Sequence, residues 1–169
     1  MNDAMINKND ELVMKLLHYF ITEKGYNPIV LHGAKNEIWL ENLDQEYKIV
    51  RIVSDYIHNN EQLDFDMFKT KQIIKKIRKK TLSFHINALS IFINLGENVS
   101  LEKEQIVDNL TLASVKDIND LNKYPTIIKI FPDICENTDF KEQGMSLFMK
   151  LTKEINKKNE EESVKLPSI

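Results

Sequence analysis

Asp55 and His58 stand three residues apart, and Asp64 and Asp66 follow soon after them. Three carboxylates and an imidazole in one stretch form the oxygen and nitrogen donor set that suits Mn²⁺ or Zn²⁺. The same residues also read as a solvated loop leading into a helix whose N-terminus favours negative charge. His18, His32 and His85 are isolated in the sequence and read as ordinary interior or surface histidines.

Other chemistries find little footing. A serine nucleophile needs a glycine-flanked elbow, and Gly144-Met-Ser-Leu147 lacks the second glycine and falls in a helical pattern. Cys135 has no histidine near it in sequence, and with one cysteine there is neither an internal disulfide nor a zinc-binding cysteine pair. Gly25, Gly33, Gly96 and Gly144 are too scattered to build a phosphate-cradling loop. Metal-dependent nucleases of the PD-(D/E)xK type place one acid on a strand and an acid-x-lysine on the next, where the metal activates water. Glu46-Tyr47-Lys48 matches that string, with Glu37 or Glu41 upstream, but Glu46 falls in a predicted loop. No catalytic residue is assigned.

The densest charge feature runs from Lys69 to Lys80, with Lys71, Lys75, Lys76, Arg78 and Lys79 between them. On a helix these cations surround Ile73, Ile74 and Ile77. Such a face reads as solvated, as a contact for anionic lipid, or as a contact for nucleic-acid phosphate. Overall charge is close to balanced, 23 basic against 26 acidic residues, so no global field recruits nucleic acid.

The elements that would position these groups follow from periodicity. Leu12, Val13, Leu16, Leu17, Phe20 and Ile21 form one helical stripe, giving a helix from about Asp10 to Lys24, capped by Asn7 or Asn9 and ended at Gly25. Asn27 to His32, Glu37 to Asn42 and Tyr47 to Ser54 read as an antiparallel meander. In its middle strand, Glu37, Trp39 and Glu41 face a wet side. Glu61 to Thr81 is a long amphipathic helix, and Phe84 to Leu95 is a buried central strand. Ser100, Lys103 and Glu104 open a short helix to about Asn109, and Leu110 to Val115 is a strand. A short helix between Pro125 and Pro132 follows. A last helix, capped by Thr138 or Asp139, carries Phe140, Leu147, Phe148, Leu151 and Ile155.

With 169 residues, 42% of them hydrophobic, the chain can bury one core. The reading is a mixed α/β (α+β) domain with a sheet of four or five strands, in the order α-β-β-β-α-β and then further α and β. That core layout is nuclease-like without an evident active site. Residues 1–158 form the globular domain and 159–169 a flexible tail. The most apolar window, Ala88 to Ile93, is far below the roughly 18 to 20 residues that cross a bilayer, and Met1 to Asp10 has no signal-peptide pattern.

Several strings occur together in a familiar order: Gly25-Tyr26, Glu37-Ile-Trp-Leu-Glu41, Val50-Arg-Ile52, Leu63-Asp-Phe65, Ala88 to Ile93 followed by Glu97, and Ile130-Phe-Pro132. Over about residues 11–158 the chain resembles the cytosolic N-terminal domain of rhomboid-family intramembrane serine proteases of Gram-positive bacteria, the YqgP or GluP type. The resemblance implies a regulatory domain at the cytoplasmic face of the cell membrane, with the transmembrane protease domain of the same polypeptide and membrane-protein substrates as partners. Residues 159–169 would then be a juxtamembrane linker. It further implies divalent-cation sensing, by manganese or zinc. Relatives carry a His-Asp-x-Asp-Phe cluster after the Val-Arg-hydrophobic strand. Here the loop is longer, Asp64-Phe65 keeps the end of that cluster, and Asp55 and His58 match it only in type.

Overall fold

Alternation and helical stripes in the sequence become three layers, helices on both faces of one sheet. The computed structural model describes residues 8–31, 33–81, 85–99, 101, 105–136 and 142–164, the side chains of 81, 142–146 and 161–164 excepted. Asn7, His32, Phe84, Ser100, Lys103, Glu104, Thr138, Asp139 and Phe140, to which the sequence reading gives roles, lie outside the described residues.

Helix α1 spans Lys8–Leu17 and continues as one π-helical stretch, His18–Glu23, closed by Gly25 at a left-handed φ of 71°. Strands β1 (Asn27–Ile29), β2 (Glu37–Glu41) and β3 (Ile49–Val53) form the antiparallel meander. Helix α2 (Asn60–Thr81) crosses over to β4 (Ala88–Phe92), which pairs parallel with β3. The hairpin of β5 (Gln105–Val107) and β6 (Leu110–Ser114) completes a six-stranded mixed sheet, β1-β2-β3-β4-β6-β5. A 3₁₀ turn (Ile118–Lys123), α3 (Pro125–Ile130) and α4 (Glu142–Val164) follow.

The mixed α/β expectation holds, with one or two more strands than four or five. The strand the sequence reading lacks is the short edge strand β5. Where the sequence predicts a short helix to Asn109, the chain forms β5, which turns into β6 through Asp108 and Asn109, with Asp108 at a φ of 50°. An Asp or Asn side chain tolerates this left-handed turn position, so a tight hairpin closes without glycine.

One core lies between the sheet and α1, α3 and α4. It joins Leu16, Leu17 and Phe20 to Ile38, Val50, Ile52 and Leu89, with Ile127, Phe131, Phe148 and Ile155. The other lies beneath α2, where Leu63 and Ile77 cover Trp39, Ile49, Val53, Phe92 and Leu112. Both faces of β2 are therefore buried. The wet face expected for Glu37 and Trp39 is instead covered by α2, and these side chains are 4% and 1% exposed.

The expected tail from 159 is also different. Helix α4 continues to Val164, and Asn159 is buried at 1% exposure. Its Oδ1 accepts from Leu31 N–H at 3.0 Å, and its Nδ2 donates to the Ala34 carbonyl at 2.8 Å. A polar residue among Lys and Glu reads as solvated in sequence, yet here it satisfies two backbone groups of the β1–β2 loop.

Candidate functional site

Arg51 sits in the middle of β3 with apolar neighbours on both sides, and it is 1% exposed. A buried guanidinium requires compensating partners. Its Nε donates to Glu37 Oε1 at 2.7 Å, its Nη1 to Asp66 Oδ2 at 2.9 Å and to Ser90 Oγ at 3.2 Å, and its Nη2 to Asp66 Oδ1. Trp39 Nε1 donates to Glu37 Oε1 at 3.0 Å, and Lys69 Nζ reaches Glu37 Oε2 at 3.2 Å. The guanidinium carbon also lies 5.6 Å from the Trp39 ring centre and 5.7 Å from that of Phe92.

Two cations thus meet two carboxylates, and the network is formally neutral. Burial pushes the Glu37 pKa up, but the nearby Arg51 and Lys69 charges and their hydrogen bonds outweigh it and hold the carboxyl below the usual range. Burial acts against the charge on Arg51, and Glu37 and Asp66 more than restore it. Three strands and α2 are joined at one point.

This junction also decides where the predicted metal ligands point. Helix α2 begins at Asn60, with the Asn59 side chain accepting from Gln62 N–H at 2.9 Å, so Asp64 and Asp66 lie inside the helix rather than in a loop before it. Residues two apart on a helix diverge by about 200°. Asp66 points inward and gives both oxygens to Arg51, whereas Asp64 is exposed. Asp66 therefore belongs to the buried network, a correction to the proposed ligand set.

Asp55 and His58 are exposed on the β3–α2 loop, and His58 meets the Tyr56 ring edge-on at 4.3 Å. The loop is held by Gly96, whose N–H donates to the Ile57 carbonyl at 2.8 Å. A Cβ there would stand 3.0 Å from that oxygen and 3.1 Å from the His58 carbonyl. Among the described residues, no three His, Cys, Asp or Glu side chains are grouped to hold a metal ion. The donor set does not fit a preformed centre.

The nuclease string fares similarly. Glu46 is exposed in the turn before β3, and Tyr47 is buried with its hydroxyl 3.2 Å from Thr111 Oγ1. On the α1-facing side of the sheet, where β2 and β3 could present an acid and an acid-x-lysine, Ile38 pairs with Ile52 and Ser54 follows. The cleft above this pair is edged by Asp10, Asn36, Ser54, Lys153 and Asn156, with Asp10 its single carboxylate among the described residues. A lone carboxylate cannot make the paired-acid metal site that this chemistry requires.

Cys135 donates its thiol to the Ile118 carbonyl at 3.3 Å, and burial pushes the thiol pKa up, away from the reactive thiolate. His18 packs edge-on against Phe148 at 5.8 Å. The residues that sequence reasoning missed as a unit are Glu37, Arg51, Asp66, Lys69 and Ser90. Their signal was present in Ile49-Val-Arg-Ile-Val53, where one charge interrupts an otherwise apolar strand.

No protein-family model matches the chain, and no curated protein does. Among the described residues, no helix is long and apolar enough to cross a membrane.

Proposed function

We propose that this chain is a non-catalytic regulatory domain of a rhomboid-like intramembrane serine protease, held at the cytoplasmic face and helping to present membrane-protein substrates. One observation carries the reading: residues of three of the strings behind the resemblance, with Asp66 next to a fourth, meet at a single buried junction. Glu37 and Trp39 come from the Glu37–Glu41 string, Arg51 from Val50–Ile52, and Asp66 adjoins Leu63–Phe65. Residues scattered along the sequence are thus explained together as the frame that fixes β2, β3 and α2.

Cation sensing, in this reading, falls to Asp55, His58 and Asp64, which are exposed and would be gathered only when the ion binds. A Zn²⁺ titration followed by backbone amide shifts should then move residues 55–64 first. Shifts centred elsewhere would discard these ligands and leave the accessory role standing.

The accessory role is tested in the source cell with an antibody raised against residues 8–164. The expected result is a band well above the size of a 169-residue chain that stays in the membrane fraction after an alkaline carbonate wash. A band of the domain's own size, released by the wash, would overturn the proposal.

A further inference from the structure

The inward commitment of Asp66 sets the rotation of α2 and so dictates which residues it shows to solvent. Leu63, Asp66, Thr70 and Ile77 are buried. The opposite stripe, at helical spacing, is Glu61, Asp64, Phe65, Phe68, Gln72, Lys75 and Lys79, all of them exposed. Phe65 is 69% and Phe68 63% exposed, and among the described residues they are the most exposed large apolar side chains on the sheet's α2 side. Among the described residues, Lys75 and Lys79 form no ion pair, whereas Lys69 and Lys71 are engaged with Glu37 and Asp108.

The stripe is ordered: acids in the first turns, two phenylalanines in the middle, lysines toward the end. The helix macrodipole accounts for the order of the charges. It gives no reason to leave two aromatic rings in water between them.

From these features we infer that α2 is a docking surface for a second copy of this chain, with the two helices antiparallel about a two-fold axis. Reversing a copy about a centre between Phe68 and Gln72 sets Glu61 against Lys79 of the other copy, and Asp64 and Phe65 beside its Lys76 and Lys75. Phe68 of each copy then lies within about 3 Å of the midpoint along the axis, and the contact runs about 27 Å at 1.5 Å rise per residue. Four phenylalanines leave water together, with an acid-to-lysine cluster at each end. The same patch satisfies itself, as an isologous interface requires.

An anionic membrane is a poorer occupant. The lysines would approach it, but Glu61 and Asp64 share their stripe and would be driven against headgroups of like charge. The self-complementary pattern uses both ends of the helix. One helix pair buries less than the roughly 1,200 Å² of a standard interface, so the dimer is expected to be weak and concentration-dependent.

The test is sedimentation equilibrium of the full chain from about 10 to about 500 µM, at low and high salt, since such interfaces assemble weakly and their rim charges are screened. Growth of a dimer with concentration, weakened by salt, is the expected result. Two variants carry the decision: Glu61→Lys with Asp64→Lys, and Lys75→Glu with Lys79→Glu. Each should lose self-association by roughly 10- to 100-fold through like-charge repulsion. Mixed together they should form a heterodimer, because every acid again meets a lysine. All four side chains are exposed, so circular dichroism should report an unchanged fold.

A wild-type chain that stays monomeric throughout would overturn the inference, as would variants that dimerise like wild type or fail to pair when mixed. Monomeric chain that instead binds phosphatidylserine vesicles, and loses that binding with Lys75→Glu and Lys79→Glu, would assign the face to lipid and overturn it equally.

Discussion

Replacing Arg51 by methionine should show how much the buried junction contributes. The side chain it removes is 1% exposed, and those of Glu37 and Asp66 are 5% and 10% exposed, so the stranded carboxylates cannot recover their hydration. Glu37 keeps Trp39 Nε1 and Lys69 Nζ. Asp66 loses both of the hydrogen bonds it accepts from the guanidinium, from Nη1 and from Nη2. Breaking a buried pair from one side costs about 3–5 kcal/mol, a large share of the roughly 5–15 kcal/mol that holds a domain.

The loss carries a pH signature. The folded-state pKa of Glu37 is held below its ordinary value, so its contribution is complete above the usual carboxylate range, about pH 4.3, and disappears as pH falls through the depressed folded value. Without the guanidinium that contribution shrinks, and protonation relieves the stranded Glu37 charge, so the gap between wild type and Arg51→Met should narrow as pH falls. Adding Glu37→Gln and Asp66→Asn to Arg51→Met should recover much of the loss. Trp39, the sole tryptophan and 1% exposed beside the guanidinium, gives the signal for urea unfolding. A loss under about 1 kcal/mol at pH 7, the scale of a solvated pair, or a gap indifferent to pH, would refute the reasoning.

Two further substitutions probe the supports around the site. Asn159→Ala removes both bonds to the β1–β2 loop and should cost about 1–3 kcal/mol by urea unfolding, with faster amide exchange at Leu31; exchange unchanged there would contradict the account. Gly96→Ala pushes a methyl against the Ile57 and His58 carbonyls and should cost about 1–3 kcal/mol, with chemical-shift changes concentrated at residues 55–58; a neutral effect would mean the loop gives way freely.

Much of the fold is legible in periodicity. The stripes of α1 and α2 and the apolar runs of β3 and β4 carry long, unambiguous patterns, because each buries a whole face. Short edge elements are less readable: β5 is three residues long and two of the three are exposed, so its burial leaves no alternation to detect. The face of β2 is misread for a different reason. Glu37 looks solvated by type, and only a partner from another strand and another from α2 make its burial tolerable. The site suffers the same limit. Four candidate ligands close in sequence suggest one cluster, but the start of α2 at Asn60 turns Asp64 and Asp66 to opposite sides. Arg51 could have been flagged from its apolar neighbours, since a charge in a buried strand must be answered from elsewhere in the chain.

Asn159 also imposes an order on biosynthesis. The backbone groups it satisfies at Leu31 and Ala34 precede it by 128 and 125 residues. As the chain leaves the ribosome, the meander, α2 and the rest of the sheet can assemble first, while the β1–β2 loop waits for a side chain near the end of α4. Contacts of such long sequence separation are slow to close and leave edges open meanwhile. Strand β1, three residues long and at the sheet's margin, is then the last place to settle, and the point where a chaperone or an early-arriving neighbour would meet the nascent domain.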